Sequence, residues 1–248
     1  MNSVYQEISR HLKTAHRILF ITGAGVSAGS GLPTYRGVGG LYNDGTTSDG
    51  LSIEEALSGE CFAIHPEITW KYLAQIERNC HGVLPNAAHY AIAELEQQSE
   101  VVVLTQNIDG LHTRAGSTHV IEIHGNLDDR FCPQCGMDAD AGDKVIPPRC
   151  VSCGEIVRPR VVLFGEMLPE VAISRLHSEV NRGFGMIFVI GTTAVFPYIA
   201  EPVLRAVHAG IPVVEINPDK TRLSALVRYY LPKPAEEVLP LICQSGEK

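Results

Sequence analysis

Four of the seven cysteines are spaced to hold a metal. Cys132-Pro-Gln-Cys135-Gly and Cys150-Val-Ser-Cys153-Gly form two knuckles separated by 14 residues. Each Cys-x-x-Cys-Gly lets two thiolates converge, with the glycine easing the turn. Four thiolates make a closed tetrahedral Zn²⁺ site, structural because no position is left for water or substrate. Redox pairs or disulfides are the alternatives, and two matched knuckles at this spacing disfavour them. The compartment implied is reducing. Acidic flanks (Asp128, Asp129, Asp138, Asp140 and Asp143) argue against direct nucleic-acid contact by this ribbon. Cys61, Cys80 and Cys243 are scattered and read as small buried hydrophobes.

A second chemical signal is the run from Gly23 to Gly31, which follows the short apolar stretch Ile18 to Ile21. Gly23-x-Gly25-x-x-Ala28 satisfies the strand-to-helix pattern in which glycines let backbone approach a pyrophosphate at a helix N-terminus. A plain Gly-rich turn is the competing reading. The acidic residue that should bind a ribose about 20 positions on is not in strand context here. Asp44 has the distance, but Val38 to Gly50 is loop material, so any ribose contact comes from elsewhere in the chain. Polar groups recur at the ends of other apolar runs: Gln106-Asn-Ile-Asp109, His124, Gly191-Thr-Thr193 and Asn217. In an open parallel sheet such tips gather along one edge, where ligands bind.

The elements that must position these groups alternate in type. Buried strands are expected at Ile18–Ile21, Val101–Leu104, Val120–Ile123, Arg160–Phe164, Met186–Ile190 and Ile211–Ile216. Met1 to Arg17 reads as an amphipathic helix. Ser52-Ile-Glu-Glu55 reads as a capping box, 66–80 as a helix with Trp70, Leu73 and Ile76 on one face, and Pro85-Asn86 as the start of a helix reaching about Gln98. Alternation predicts an α/β fold with a doubly wound parallel sheet. The chain has 248 residues, 45% hydrophobic and 19% charged, ample for one large or two unequal domains. A net charge of −8 and a pI near 5.7, with no basic stripe, exclude a nucleic-acid-coating role. No apolar run approaches the roughly 18 residues of a membrane span, and no signal peptide is evident. A cytoplasmic enzyme and a monomer are the default expectations.

Taken together, Gly-Ala-Gly-x-Ser-x-x-Ser-Gly-x-Pro-x-Tyr-Arg-Gly (23–37), Thr-Gln-Asn-Ile-Asp-x-Leu-His (105–112), Glu-Ile-His-Gly (122–125), the paired cysteines, Arg-Pro-x-Val-Val-x-Phe-Gly-Glu (158–166), Gly-Thr-Thr (191–193) and Glu-Ile-Asn (215–217) occur in order. The series resembles the sirtuins, NAD-dependent protein-lysine deacylases, in a compact bacterial-type form, from about Ile18 to Leu241. The resemblance implies a Rossmann-like large domain built from 1–36, 84–127 and 158–248. It further implies a cofactor loop and helical module at 37–83 and a small zinc-ribbon domain at 128–157. NAD and an acyl-lysine peptide would meet in the cleft between them.

Carried over by position, Gly23, Ala24 and Gly25, with Ser27 and Thr34 in the same run, would lie along the cofactor. Tyr35 and Arg36 would face its nicotinamide-ribose end. Gln106, Asn107, Ile108 and Asp109 match the nicotinamide and ribose pocket, and His124, with Asn107, matches the catalytic pair, His124 as general base. Gly191, Thr192, Thr193 and Asn217 match the adenosine side, Asn217 supplying the missing ribose contact, and Ala235 matches a backbone contact to adenine. Val162, Leu163, Phe164, Gly165 and Glu166 match the edge that takes the substrate peptide by β-addition. Zn²⁺ would sit on Cys132, Cys135, Cys150 and Cys153.

The implied reaction cleaves the nicotinamide–ribose bond and yields nicotinamide, an O-acyl-ADP-ribose and free lysine. A ribose hydroxyl must lose a proton on the way, which suits a histidine at neutral pH. Tyr35 stands where many members have Phe, and Thr193 where Ser is frequent. Relatives that remove acidic acyl groups carry a Tyr-x-x-Arg pair whose Arg grips the carboxylate. The matching positions are Leu73 and Ile76, both apolar, so acetyl or another uncharged acyl group is expected. Mono-ADP-ribosyl transfer to protein and a non-catalytic NAD- or ADP-ribose-binding module are the alternatives. His124 could instead be a structural histidine, Arg36 a solvated charge, and Asn107 and Asp109 caps for a helix near Leu111.

Overall fold

The computed structural model describes residues 3–34, 46–139 and 145–244. Tyr35 and Arg36 therefore lie outside the described residues. The chain opens with α1 (Ser3–Thr14), which buries Ile8 and Leu12, and feeds β1 (Arg17–Thr22). Two single turns of 3₁₀ helix follow, at Ala24–Val26 and Ala28–Ser30. Next come α2 (Ile53–Ala56), α3 (Gly59–Ile64) and α4 (Pro66–Cys80), then α5 (Ala87–Glu94), extended by a 3₁₀ turn at Leu95–Gln97. β2 (Glu100–Thr105), α6 (Leu111–Arg114) and β3 (Val120–Glu122) lead to three strands of a second sheet: β4 (Gly125–Phe131), β5 (Asp138–Ala139) and β6 (Arg158–Val161). The chain closes with α7 (Glu170–Arg182), β7 (Met186–Ile190), α8 (Pro197–His208), β8 (Val213–Ile216), β9 (Tyr229–Leu231) and α9 (Ala235–Gln244).

The larger sheet has six parallel strands in the order β3-β2-β1-β7-β8-β9. The order runs one way from β1 to β3 and the other way from β7 to β9, so the winding reverses between β1 and β7. That is the switch point at which open α/β sheets bind ligands. Strand residues alternate between two buried layers. Ile18, Phe20, Val101, Val103, Phe188 and Val214 pack toward α1, α5 and α9. Leu19, Ile21, Val102, Leu104, Ile187 and Val213 pack toward α7 and α8. Phe20 and Phe188 stack at 4.7 Å across the β1–β7 seam.

The sequence expectations for β1, β2, β3, β7 and β8 agree with the strands found, to within a residue or two. The capping box is present: Ser52 Oγ accepts from the Glu55 amide at 3.1 Å, and the Glu55 carboxylate accepts from the Ser52 amide at 2.7 Å. One expectation is corrected. Arg160–Phe164 does not resume the parallel alternation; its strand, β6, pairs antiparallel with β4 in the three-stranded sheet β5-β4-β6. Period-2 apolarity does not report which sheet a strand joins. Strand β9, only three residues long, has too little pattern to be seen in advance.

The helices α2–α4 pack against the smaller sheet. Trp70, Leu73 and Ile76 lie one turn apart on α4 and share a cluster with Leu127, Val161 and Leu163. Trp70, 1% exposed, donates its indole N–H to the Val157 carbonyl at 2.8 Å, with the Arg130 guanidinium 5.4 Å from its ring centroid. Truncating such a side chain to alanine costs on the order of 3–5 kcal/mol. Among the described residues, no helix is long and apolar enough to cross a membrane.

Two further histidines are held without charge beneath the strand tips. His89 and His112 lie 4.8 Å apart, centroid to centroid, and His112 Nε2 is 3.0 Å from the Thr22 hydroxyl. Burial pushes His89 down to about 4 and His112 to about 3 from an ordinary 6.5. Above 6.5 both folded and unfolded chains are neutral at these sites. Below it the unfolded chain takes up protons that the fold refuses until about 4 and about 3, so stability falls through that window. The loss at about pH 5 is on the order of 1–2 kcal/mol per histidine. His89 Nδ1 accepts the Asn86 amide at 3.3 Å as a capping-box residue, a role glutamine can fill. His89→Gln is expected to reduce the drop in Tm between about pH 7.5 and pH 5 by roughly 2–4 °C, measured by calorimetry.

Candidate functional site

The tips of β1 and β7 meet backbone to backbone. The Gly25 amide donates to the Gly191 carbonyl at 2.9 Å, and the Gly23 amide to the Ile190 carbonyl at 3.0 Å. A Cβ on Gly25 would lie 2.5 Å from Gly191 Cα, and Gly191 itself has φ +57°. Both positions are closed to other residues by this contact alone. The glycines expected to flank a cofactor thus also fit together as the seam of the sheet.

From this seam a chain of side chains crosses three strand ends. Gln106, after β2, donates its amide to Thr192 Oγ1 at 2.8 Å, and Asn217, after β8, donates to the Thr192 carbonyl at 3.2 Å. Thr193 is exposed at the end of this row. Ala235 is buried at the start of α9, and the next residue, Glu236, packs against Gly29 of the Gly-rich run.

On the other side of Gln106 lies a recess of ≈ 400 Å³, its open mouth included, lined by Ala24, Ser27, Asn107, Ile108 and Asp109 together with Ile76, Asn79 and Cys80. Ser27 Oγ donates to the Asp109 carboxylate at 2.8 Å, and Asn107 Nδ2 donates to Ser27 Oγ at 3.1 Å and to the Gly23 carbonyl at 3.3 Å. Asp109 also accepts the Leu111 amide at 2.9 Å, so it does cap α6 while serving the recess. Asn107 Oδ1 is buried without a hydrogen-bond partner in the wall of this recess. An orphaned acceptor of this kind calls for a ligand that donates, and an amide N–H of a nicotinamide carboxamide fits it. Ile76, Asn79 and Cys80 were not foreseen as a group, yet their i, i+3, i+4 spacing places them on one face of α4. Thr34 is half-buried and is not among the residues lining the recess.

His124 follows β3 directly. Its Nδ1 is 2.9 Å from the Gln106 carbonyl and its Nε2 is 2.8 Å from the Tyr198 hydroxyl. A carbonyl only accepts, so Nδ1 carries the proton and Nε2 keeps its lone pair. Burial lowers the proton affinity of the ring below the ordinary 6.5, against a smaller opposing effect of the Gln106 carbonyl. The imidazole is therefore neutral at pH 7, with Nε2 able to act as a base. Phe196 and Tyr198 were not singled out in the sequence. Two aromatics flanking Pro197, just after the Gly-Thr-Thr tip, are the signal that could have found them.

The segment after β6 connects to the same point: the Val162 amide donates to the His124 carbonyl at 2.9 Å. Arg158 grips Glu166 at 2.6 and 2.9 Å, and Glu166 in turn accepts the Leu163 amide at 2.9 Å, which folds 162–166 into a fixed loop. Phe164 is already bonded through its amide to Leu57 and through its carbonyl to Gly59, and Gly165 turns with φ +81°. Leu73 is buried in the cluster between α4 and the small sheet, whereas Ile76 reaches the recess wall.

The four cysteines converge. Cys132 and Cys153 sulfurs are 3.5 Å apart, Cys135 and Cys150 sulfurs 3.6 Å, and all four lie within 4.8 Å of one another. A zinc tetrahedron with bonds of about 2.3 Å has sulfur–sulfur edges near ~3.8 Å, so the donor set and its size fit one structural ion. The three remaining cysteines are half-buried and apart from it.

Three comparisons bear on this site. The Sir2 family matches residues 23–197. NAD-dependent protein deacylase 2 of Pseudomonas aeruginosa is 50% identical over 242 residues, covering 95% of this chain and 94% of that protein. A solved Sir2 homologue mutant in complex with ADP-ribose superposes with a TM-score of 0.87 at 37% identity, covering 96% of this chain and 95% of the other. A Sir2 protein bound to deacetylated p53 peptide and 3'-O-acetyl ADP-ribose superposes at 0.86 with 28% identity, over 97% and 98% of the two chains.

Because structural zinc is coupled to folding, Cys132→Ser should remove the metal and loosen the small sheet. Elemental analysis is expected to give about one zinc per wild-type chain and less than about a tenth of that in the variant, with Tm lowered by several degrees.

Proposed function

The chain belongs to the Sir2 family of NAD-dependent protein deacylases, and from that premise we propose that its described site removes uncharged acyl groups from lysine with His124 as general base. The observation that carries this reading is the fixed tautomer of His124, whose Nδ1 is held by the Gln106 carbonyl and whose Nε2 keeps a lone pair at the strand tips. NAD, when bound, supplies the nicotinamide–ribose bond whose cleavage drives acyl transfer to ADP-ribose. Gly23, Ala24 and Gly25 offer backbone without bulk at the switch point, where a pyrophosphate is accommodated. Asn107, pinned through Nδ2, presents Oδ1 as a fixed acceptor. Asp109 and Ser27 lock each other beside it. Thr192 and Asn217 hold the adenosine side through their mutual bond, and Ala235 borders it. His124 Nε2 accepts the ribose hydroxyl proton, and the peptide lies along 162–166. Proximity supplies much of the rate, since the acyl oxygen is a weak nucleophile.

The acyl preference is supported by charge. Leu73 and Ile76 are both apolar and buried in the cluster between α4 and the small sheet. A succinyl carboxylate would find no cation at these positions and would be desolvated without a partner. We place the activity in the cytoplasm, where a site built on four thiols stays reduced.

Incubating the protein with NAD and an acetyl-lysine peptide is expected to give nicotinamide, deacetylated peptide and O-acetyl-ADP-ribose by mass spectrometry. ADP-ribose attached to protein, without the acetyl ester, would support the transferase reading instead. His124→Ala should leave NAD affinity within a few-fold while lysine release falls by about a hundredfold or more. A succinyl peptide assayed in parallel is expected to react at least roughly tenfold more slowly; equal rates would overturn the charge argument.

A further inference from the structure

Resting on the reading of His124 as general base, we propose that Tyr198 is its positioning residue: in the free enzyme the phenol donates to Nε2, fixing the ring and holding that nitrogen unprotonated until the ribose hydroxyl takes the phenol's place. The direction of the bond follows from elimination. Nδ1 faces the Gln106 carbonyl at 2.9 Å and must be the protonated nitrogen, so at 2.8 Å the Tyr198 hydroxyl meets a lone pair and must donate. Tyr198 is the second residue of α8, on the far side of the seam from β3. Its ring stacks on Phe196 at 5.4 Å and 11° and meets the imidazole edge-on at 6.1 Å and 87°. Phe196 meets the same imidazole at 6.1 Å and 83°. Two aromatic rings thus brace the base from α8, while β2 holds its opposite edge.

A hydrogen bond to the neutral form of a base lowers its affinity for a proton. The effect adds to that of burial, and it is not mimicked by a nearby charge. Among the described residues the ionised groups on the surrounding elements have partners of their own: Asp109 with Ser27, Glu122 with Asn126, Glu166 with Arg158, Arg160 with Asp129 and Asp138, and, beside Tyr198 on α8, Glu201 with Arg205. His177 of α7, exposed, lies beside the Tyr198 ring. Tyr198 itself, pushed up to about 12 by burial, stays a phenol across the working range. Nε2 has one in-plane lone pair, so a ribose hydroxyl that gives its proton there must first displace the phenol from it. The proton remains on Nε2 and Tyr198 remains neutral.

The test uses the full chain with its zinc. Side-chain NMR of the free protein follows the His124 titration, and kcat/KM with NAD and an acetyl-lysine peptide follows the acid limb, which reports the free enzyme's base. Tyr198→Phe keeps the ring stack and removes the donor. It is expected to raise both the midpoint and the limb by about half a unit to one unit, with the alkaline plateau within about twofold of wild type. A ring-fluorinated tyrosine at 198, a stronger donor, should move the midpoint the other way. A uniform loss of rate at every pH with the midpoint unmoved would reduce Tyr198 to a packing residue and overturn the proposal. Full activity in His124→Ala would instead overturn the base assignment, leaving the NMR midpoint as an independent measure of the Tyr198 contact.

Discussion

The contact on which the molecule turns is that of two glycines. Gly25 and Gly191 bring the ends of β1 and β7 so close that a single methyl group on either would collide with backbone. Because the sheet winds in opposite directions from this seam, the two strand ends would otherwise diverge and leave a gap filled by side chains. Closing the gap with main chain leaves the side chains of the neighbouring tips to bond on either side of it, Gln106 to Thr192 and Asn107 to Ser27 and the Gly23 carbonyl. The recess is built on the second set; Asn217 and the imidazole are held by the first.

Backbone carbonyls do much of the positioning. Gly23, Gln106, Thr192 and His124 each offer a carbonyl that accepts from a residue on another element. Backbone at a strand end is more rigid than any side chain, so the polar groups it holds are placed with little entropy left to lose. This explains how the His124 imidazole can be oriented without a carboxylate partner. Its tautomer is set by Gln106, whose own amide is fixed across the sheet on Thr192.

Much of this was legible in the sequence because strands and their tips are local. Five apolar runs ending in polar residues required only that the strands be parallel for their tips to meet, and the strands are parallel. The paired cysteines were legible for the same reason, since a knuckle is four residues long. What stayed hidden was contact between segments with no periodic link. Arg160–Phe164 looked like any buried strand, and only its pairing with β4 separates it from the parallel sheet. Tyr198 sits 74 residues from His124, and nothing in the composition of α8 joins them. Leu73 and Ile76 share a helix face, yet one is sealed in the core and the other reaches the recess, a difference of one turn that a pattern cannot resolve.

The pairing of Gly125 with Val161 and of Asn126 with Arg160 closes a narrow neck. Everything from β5 to the second cysteine knuckle is an excursion beyond it. The His124 carbonyl and the Val162 amide form the next rung down, so the neck is clamped where it meets the strand tips, and the ladder runs on toward the metal through Arg130 with Pro159 and Phe131 with Arg158. Closing a longer excursion costs only about 0.6 kcal/mol for each doubling of its length. An insertion within the metal-bearing lobe would therefore cost little in loop closure, while the rung that holds the His124 carbonyl stays in place.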